Sequence, residues 1–243
     1  PIFHLEAGNR CFDYRVPEEI NRKIIDHISD VNITYSSIAR EYLIHEGLPK
    51  DQIIKVGSPM KEVLNFYEEN IKNSKILNQL NLTKKNYILL SLHREENVDD
   101  RKKLKKFIDI LNFLVEKEKK KIIITTHPRT RKNLEKLNFQ KSSKISFLKP
   151  FAFSDYIKLQ SEALIVLSDS GTITEESSIL NFPAINLRET HERPEGNEEA
   201  SVIFTSLNLS RIEQAINILK TQNRGKKRTL NFIKDYEIEN VSE

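Results

Sequence analysis

Along the chain, short runs of apolar and β-branched residues alternate with stretches whose apolar positions recur every three to four residues. The runs predict strands at Ile2–Leu5, Val31–Thr34, Ile53–Val56, Tyr87–Leu92, Lys121–Thr126, Ile145–Leu148, Leu164–Leu167 and Ala184–Leu187, with a short ninth at Val202–Thr205. The helical spacing predicts helices over Glu18–Ile28, Ser37–Glu46, Met60–Leu80, Asp99–Lys119, Arg129–Leu137, Ser154–Gln160, Ile173–Leu180 and Arg211–Thr221. Alternation at this spacing argues for βαβ units, hence an α/β fold with parallel sheets.

The pattern changes after Gly57-Ser58-Pro59, where a long polar helix leads to Asn81-Leu82-Thr83 and a new strand begins at Tyr87. We expect residues 1–58 to belong to one α/β domain, 59–82 to connect, 83–233 to form a second domain and 234–243 to begin a crossover segment. Pro1 to Glu6 reads as the tail of a strand already in progress. Asn240-Val-Ser-Glu243 reads as the start of a capped helix that then stops. A piece of a longer protein is therefore expected.

Composition narrows the class. Of 243 residues, 38% are hydrophobic and 30% charged, which marks a globular chain rather than a disordered one. No apolar run approaches the roughly 20 residues that span a membrane. One cysteine, Cys11, excludes an intrachain disulfide and, with no secretory signal at the start, suits the cytoplasm. Net charge is +4, and the lysines of Lys102–Lys106 and Lys117–Lys121 lie on or beside a helix whose apolar set is Leu104, Phe107, Ile108, Leu111 and Leu114. They read as its solvated face. Aromatics interleaved with basic residues are missing, which argues against nucleic-acid binding.

Polar clusters fall at the C-terminal ends of predicted strands, where open α/β sheets place ligands. The most informative is Ser168-Asp-Ser-Gly171, followed by Thr172-Ile-Thr-Glu175, which reads as a capping box. A strand, a small-residue turn and a helix N-terminus together suit a phosphate; they equally suit an ordinary strand-to-helix connection. His4-Leu-Glu-Ala-Gly8 places His4 and Glu6 on one face of a strand end, so Glu6 is either a general acid–base group or a structural carboxylate. Pro17-Glu18-Glu19 suits a helix start, with carboxylates that complement the helix dipole. His93 and Arg94 follow Tyr87–Leu92 and can serve proton transfer or a phosphate. His127, in Thr126-His127-Pro128, reads as a loop-fixing residue or one that supports a ligand-contacting side chain from behind. Leu187-Arg-Glu-Thr-His-Glu-Arg-Pro-Glu-Gly196 is dense in ionisable groups of both signs and reads as a binding loop. No His or Cys spacing suggests a metal, and there is no Walker or dinucleotide glycine loop.

Taken in order, His4-Leu-Glu-Ala-Gly8, Pro17-Glu-Glu-Ile-Asn-Arg22, Gly57-Ser-Pro-Met60, His93-Arg-Glu-Glu-Asn97, Ser168-Asp-Ser-Gly171 with Glu175-Glu176, and Glu192-Arg-Pro-Glu195 resemble the non-hydrolysing UDP-N-acetylglucosamine 2-epimerase family over nearly the whole chain. Within it, His4–Asp13 and Asn186–Gly196 are most similar to a bacterial branch that makes UDP-N-acetyl-L-fucosamine for capsule or O-antigen. The resemblance implies a glycosyltransferase-B architecture of two Rossmann-like domains, the first incomplete here, with the active site in the cleft. It implies C2 inversion by elimination and re-addition of UDP through a 2-acetamidoglycal, with no cofactor, no metal and no membrane or nucleic-acid partner, in a parent protein that is a homodimer. It assigns Glu6 and Glu18 to acid–base catalysis and His93 to diphosphate departure. Arg94, His127, Ser170, Gly171, Thr172, Glu176 and Arg193 would bind UDP or substrate, with Glu176 on the ribose. The family also carries a glycine-rich loop, basic contacts and a catalytic aspartate ahead of His4, and a last helix beyond Glu243. Glu95 stands where some relatives have a second arginine. Two other readings are a glycosyltransferase of the same architecture and a non-catalytic UDP-sugar-binding remnant.

Overall fold

The computed structural model describes residues 1–243 except 93–99, 127–129, 131, 132, 135, 138, 140, 141, 200, 225–227, 229 and 230. Its strands form two parallel sheets. Strands β1 (Phe3–Leu5), β2 (Val31–Thr34) and β3 (Ile53–Lys55) make the small one. Strands β4 (Tyr87–Leu92), β5 (Lys121–Thr126), β6 (Ile145–Leu148), β7 (Ile165–Ser168), β8 (Ala184–Asn186) and β9 (Ile203–Phe204) make the large one, in the order β6-β5-β4-β7-β8-β9. That order grows outward from β4 in one direction and then from β7 in the other. The direction reverses between β4 and β7, and this opens a crevice at their C-terminal ends.

The large sheet is buried on both faces, which parallel ladders with crossover helices require. Ile88, Leu90 and Leu92 of β4, with Ile165 and Leu167 of β7, face the helices Arg101–Glu118 and Leu209–Thr221 through Leu104, Phe107, Leu111, Leu114, Ile212 and Ile216. The alternate residues Tyr87, Leu89 and Val166 face Leu77, Leu159, Ile173 and Phe182 on the other side. Each such side chain contributes about 1.5–3 kcal/mol by leaving water, so this sheet carries a core of its own.

The small sheet does not. Its core cluster is Ala7, Leu43 and Ile53, with Ile44 and Leu48 packed against it. Phe3, Leu5, Ile24 and Ile28 are exposed. What it has instead is a buried polar network. Asp26 accepts from His4 Nδ1 at 2.6 Å and from the amide of Gly8, and pairs with Arg10 at 2.6 Å. Arg10 also donates to both oxygens of Glu46, at 2.8 and 2.7 Å. This network fixes the loop of residues 6–10 that leaves β1.

The sheets are linked twice along the chain. One link is residues 57–60, where Gly57 has φ +89° and a Cβ would lie 2.8 Å from the Asp235 carbonyl. The other is the return of residues 233–243, where the Ser58 amide donates to Asp235 O at 3.1 Å and the Asp235 carboxylate accepts from Ser37 N and Lys55 Nζ. The predicted continuous helix Met60–Leu80 is three shorter ones, Met60–Phe66, Glu68–Asn73 and Ile76–Gln79. Tertiary contacts win over periodicity here. Tyr67 packs its ring on Phe153 at 5.2 Å, and Ser74 Oγ donates to Asp155 at 2.5 Å while accepting from the amide that starts the last helix. Strands β2, β4, β5 and β6 span their predicted residues, whereas residues 129, 131, 132 and 135 of the predicted helix Arg129–Leu137 lie outside the described residues. Among the described residues no helix is long and apolar enough to cross a membrane.

Gly8 lies at φ +78°, and a Cβ there would sit 2.3 Å from the Ala39 carbonyl oxygen; Gly47 lies at φ +92° with nothing within 4 Å. Both alanine variants pay the left-handed backbone penalty of about 1–3 kcal/mol, but Gly8→Ala adds a backbone clash. At about 2–4 °C per kcal/mol for a chain of this size, Gly8→Ala should lower the melting temperature several degrees more than Gly47→Ala. Equal losses would contradict this packing.

Candidate functional site

The crevice between β4 and β7 is closed by the loop that follows β7. Ser168 pairs with Ser91 across the ladder, and the Asp169 amide donates to Ser91 O at 3.2 Å. The loop then turns on itself: the Ser170 amide donates to Ser168 Oγ at 3.0 Å, and Ser170 Oγ lies 2.9 Å from Thr172 Oγ1. The helix Ile173–Leu180 begins directly after it. The expected capping box is absent, since Thr172 is helical and makes no side-chain cap. Its hydroxyl serves Ser170 and Glu176 instead, while Glu175 is drawn to Ser58 Oγ and Arg193. The amides of the first turn are thereby left without a side-chain cap.

Two guanidinium groups converge on this turn. A Cβ on Gly171 would lie 2.6 Å from Arg193 Nη1 and 3.1 Å from Arg188 Nη1. Only glycine leaves that space, and a phosphate is the group that amides and arginines together favour. Arg188 is buried and holds both oxygens of Glu192, at 2.6 and 3.1 Å. Burial works against charge on Glu192, but the bonds and charge of Arg188, then of Arg22, hold its carboxyl down to about 2. Arg22, on the helix Pro17–Ile28, reaches Glu192 at 3.2 Å from the small-sheet side.

Arg193 joins the two halves of the site. Its Nη2 donates to Glu6 Oε1 at 2.9 Å, and its Nε lies 3.0 Å from Glu175 Oε2. Burial opposes its charge, while Glu175 and Glu6 raise its pKa above the usual arginine value. Glu6 stands just past β1 with φ +71°, in the left-handed region, and also accepts from Asn9 Nδ2 at 3.0 Å. The expectation that His4 and Glu6 share a face gives way to this turn, because the His4 ring goes to Asp26 while Glu6 goes to Arg193.

The remaining expected residues fall as follows. Ser170, Gly171 and Thr172 form the turn itself. Glu176 is buried behind it, with burial pushing its carboxyl pKa up, and Gln160 Nε2 donates to its Oε2 at 2.6 Å. Glu18 is exposed in the first turn of its helix, whereas Glu19 is buried and accepts from the Cys11 amide at 2.8 Å. Glu18 lies one turn before Arg22, so both sit on the helix face turned toward Glu192. His93, Arg94 and His127 lie outside the described residues, directly after β4 and β5. Among the described residues no group of three His, Cys, Asp or Glu side chains could hold a metal.

Four residues that the sequence reading did not single out belong to the site. Arg188 was visible only as part of the ionisable segment 187–196. Ser58 stands in the sequence only as part of Gly57-Ser-Pro-Met60, with no role of its own. Gln160 sits inside a helix and carried no signal. Tyr35 directly follows β2, and its phenol is pushed up to about 12 by burial and by the carboxylates of Glu6 and Glu175.

The model of the family described as UDP-N-acetylglucosamine 2-epimerase matches residues 1–243. The UDP-N-acetylglucosamine 2-epimerase of Methanocaldococcus jannaschii is 34% identical over 232 residues, covering 92% of this chain and 63% of that protein. The solved structure of UDP-N-acetylglucosamine 2-epimerase from Rickettsia bellii superposes with a TM-score of 0.90 at 50% identity, covering 99% of this chain and 64% of that one. The Methanocaldococcus jannaschii enzyme in complex with UDP-GlcNAc and UDP gives a TM-score of 0.84 at 33% identity, covering 96% of this chain and 66% of that one. The chain thus spans less than two thirds of the length of these relatives. The parallel α/β architecture is the glycosyltransferase-B-like one of those structures. With all of its residues matched and its fold shared, the chain belongs to the UDP-N-acetylglucosamine 2-epimerase family.

Proposed function

We propose that this chain carries the UDP-binding and proton-transfer groups of a UDP-N-acetylhexosamine 2-epimerase. The observation that carries the reading is Arg193, which ties Glu6 of the small sheet to a phosphate-suited turn of the large one. In this reading the diphosphate lies on the amides of Ser170, Gly171 and Thr172 and between Arg188 and Arg193, and Glu176 accepts from the ribose. That places the sugar C1–C2 bond toward Glu6 and Glu18.

One of these carboxylates removes the C2 proton while the C1–O bond breaks and UDP leaves, giving a 2-acetamidoglycal. UDP then re-forms the C1–O bond as the other carboxylate protonates C2 from the opposite face. The preorganised arginines and amides stabilise charge where it develops, on the departing diphosphate. In the same reading His93 assists that departure, and Arg94 and His127 bind UDP or substrate. The words His4–Asp13 and Asn186–Gly196 favour a 6-deoxy hexosamine substrate, of the kind found in capsule or O-antigen, in a cytoplasmic homodimer.

In D₂O, the full gene product should place deuterium at C2 of the UDP-sugar. General acid–base groups contribute about 10²–10⁴-fold, so Glu6→Gln or Glu18→Gln should slow exchange about 10²-fold or more while UDP still binds. Epimer formed without C2 deuterium would rule the mechanism out.

The Arg188–Glu192 pair holds the loop that presents Arg193, and it gives a pH signature. The folded carboxyl titrates near 2 against the usual 4.5, so its stabilisation is complete above the unfolded value and is lost as pH falls between the two. The size is on the order of 3 kcal/mol. In denaturant unfolding, the stability gap between wild type and Glu192→Gln should shrink from about pH 5 to about pH 3. A gap independent of pH would show that the pair does not hold this loop.

A further inference from the structure

The helix Phe153–Glu162 buries Ile157, Leu159 and Gln160. A glutamine amide in that company costs free energy unless it is hydrogen-bonded. Gln160 is 1% exposed; among the described residues its Oε1 is buried with no partner, and its one side-chain bond is Nε2 to Glu176 Oε2 at 2.6 Å. The amide is therefore half satisfied, and all of its bonding goes to one carboxylate. Glu176 is bonded in turn to the Thr172 hydroxyl, which lies 2.9 Å from Ser170 Oγ. A continuous row of polar groups thus runs from the core of the large sheet to the turn that suits a phosphate.

We propose that Gln160 is a positioning residue for ribose recognition: by fixing one oxygen of Glu176 it sets the carboxylate to accept from a vicinal diol, so the site prefers UDP to 2′-deoxy-UDP. The inference rests on the UDP-sugar reading above. Three physical points support it. With Oε2 committed to the amide, the carboxylate cannot turn about its own axis without breaking a short bond to a charged acceptor. Burial raises the Glu176 carboxyl pKa on balance, and the amide and the Thr172 hydroxyl hold it back toward the ionised form, which can accept from two sugar hydroxyls. The carboxylate also stands one helical turn beyond Thr172, past the phosphate turn in the direction of the core.

The test is calorimetric titration of UDP and 2′-deoxy-UDP into the 243-residue protein, its Gln160→Met variant and its Gln160→Glu variant. Methionine keeps the length and removes the donor. Hydrogen bonds to charged groups lie in a range that corresponds to about tenfold or more, so wild type should prefer UDP by about tenfold. Gln160→Met should bring the ratio close to one, with melting within a few degrees of wild type.

Gln160→Glu can donate only when its new carboxyl is protonated. Two buried carboxyls in contact share a proton up to about pH 8–9, so its preference for UDP should be absent above that range and return as pH falls toward about 7, relative to wild type at the same pH. Among the described residues, the ionisable groups acting on Glu176 are Glu175 beside it, Arg193, and Tyr156 on the same helix as Gln160, with Asp169 of the loop acting on Tyr156 in turn. A purely structural glutamine would give no such pH-dependent return. A Gln160→Met protein that folds and keeps the wild-type ratio overturns the proposal, and so does a Gln160→Glu preference that does not change with pH. Wild type that binds both nucleotides equally overturns it while leaving the UDP reading intact. Wild type that binds neither overturns both.

Discussion

Everything at the candidate site depends on one buried cation. Arg193 is packed between the sheets with little water to solvate it, and burial alone would expel its charge. It stays because Glu6 arrives from the end of β1 and Glu175 from the first turn of the helix after β7. Glu175 is itself held by Ser58 in the link between sheets. Removing one partner of such a buried pair typically costs about 3–5 kcal/mol. The constraint is thus mutual: the sheets must approach for the arginine to be satisfied, and the arginine brings a carboxylate of one to the phosphate turn of the other.

The two sheets meet this constraint with different resources. The large one is a complete doubly covered layer, and its strand order alone places a ligand crevice at β4 and β7. The small one has few buried apolar side chains and leans on the charged network around Asp26 and Arg10. That network matters for chemistry because it holds Gly8 and Arg10, and so the left-handed backbone at Glu6, in place. Return of the chain through Asp235 and Tyr236 adds a second tie, with Tyr236 Oη donating to Glu195 Oε1 at 2.5 Å beside Arg193.

Much of this was legible in the sequence, for reasons that can be named. Strands buried on both faces read as unbroken apolar runs, so Tyr87–Leu92 and Lys121–Thr126 emerge with their observed bounds. Clusters at strand ends read as ligand loops because open α/β sheets put them there, and Glu6, Ser170, Gly171 and Arg193 do converge. What the sequence hid was set by contacts distant along the chain. Thr172 and Glu175 have the spacing of a capping box, but Ser170, Ser58 and Arg193 compete for their side chains. Met60 to Leu80 has helical period, but Phe153 and Asp155 break it. Gln160 and Arg188 are ordinary residues in an ordinary helix and loop until the fold brings Glu176 and Gly171 to them.

The central claim is that Arg193 presents Nη1 to an anion at the turn while the rest of its fork, Nη2 and Nε, bridges Glu6 and Glu175. Arg193→Lys keeps the charge and removes the fork, since an ammonium is a single point of donation. The most direct measurement is the UDP dissociation constant of wild type and Arg193→Lys at one ionic strength, with folding checked by circular dichroism. The account predicts a folded variant that binds UDP at least about tenfold more weakly, the loss of one charge-assisted hydrogen bond. A folded Arg193→Lys protein that binds UDP as tightly as wild type would contradict it.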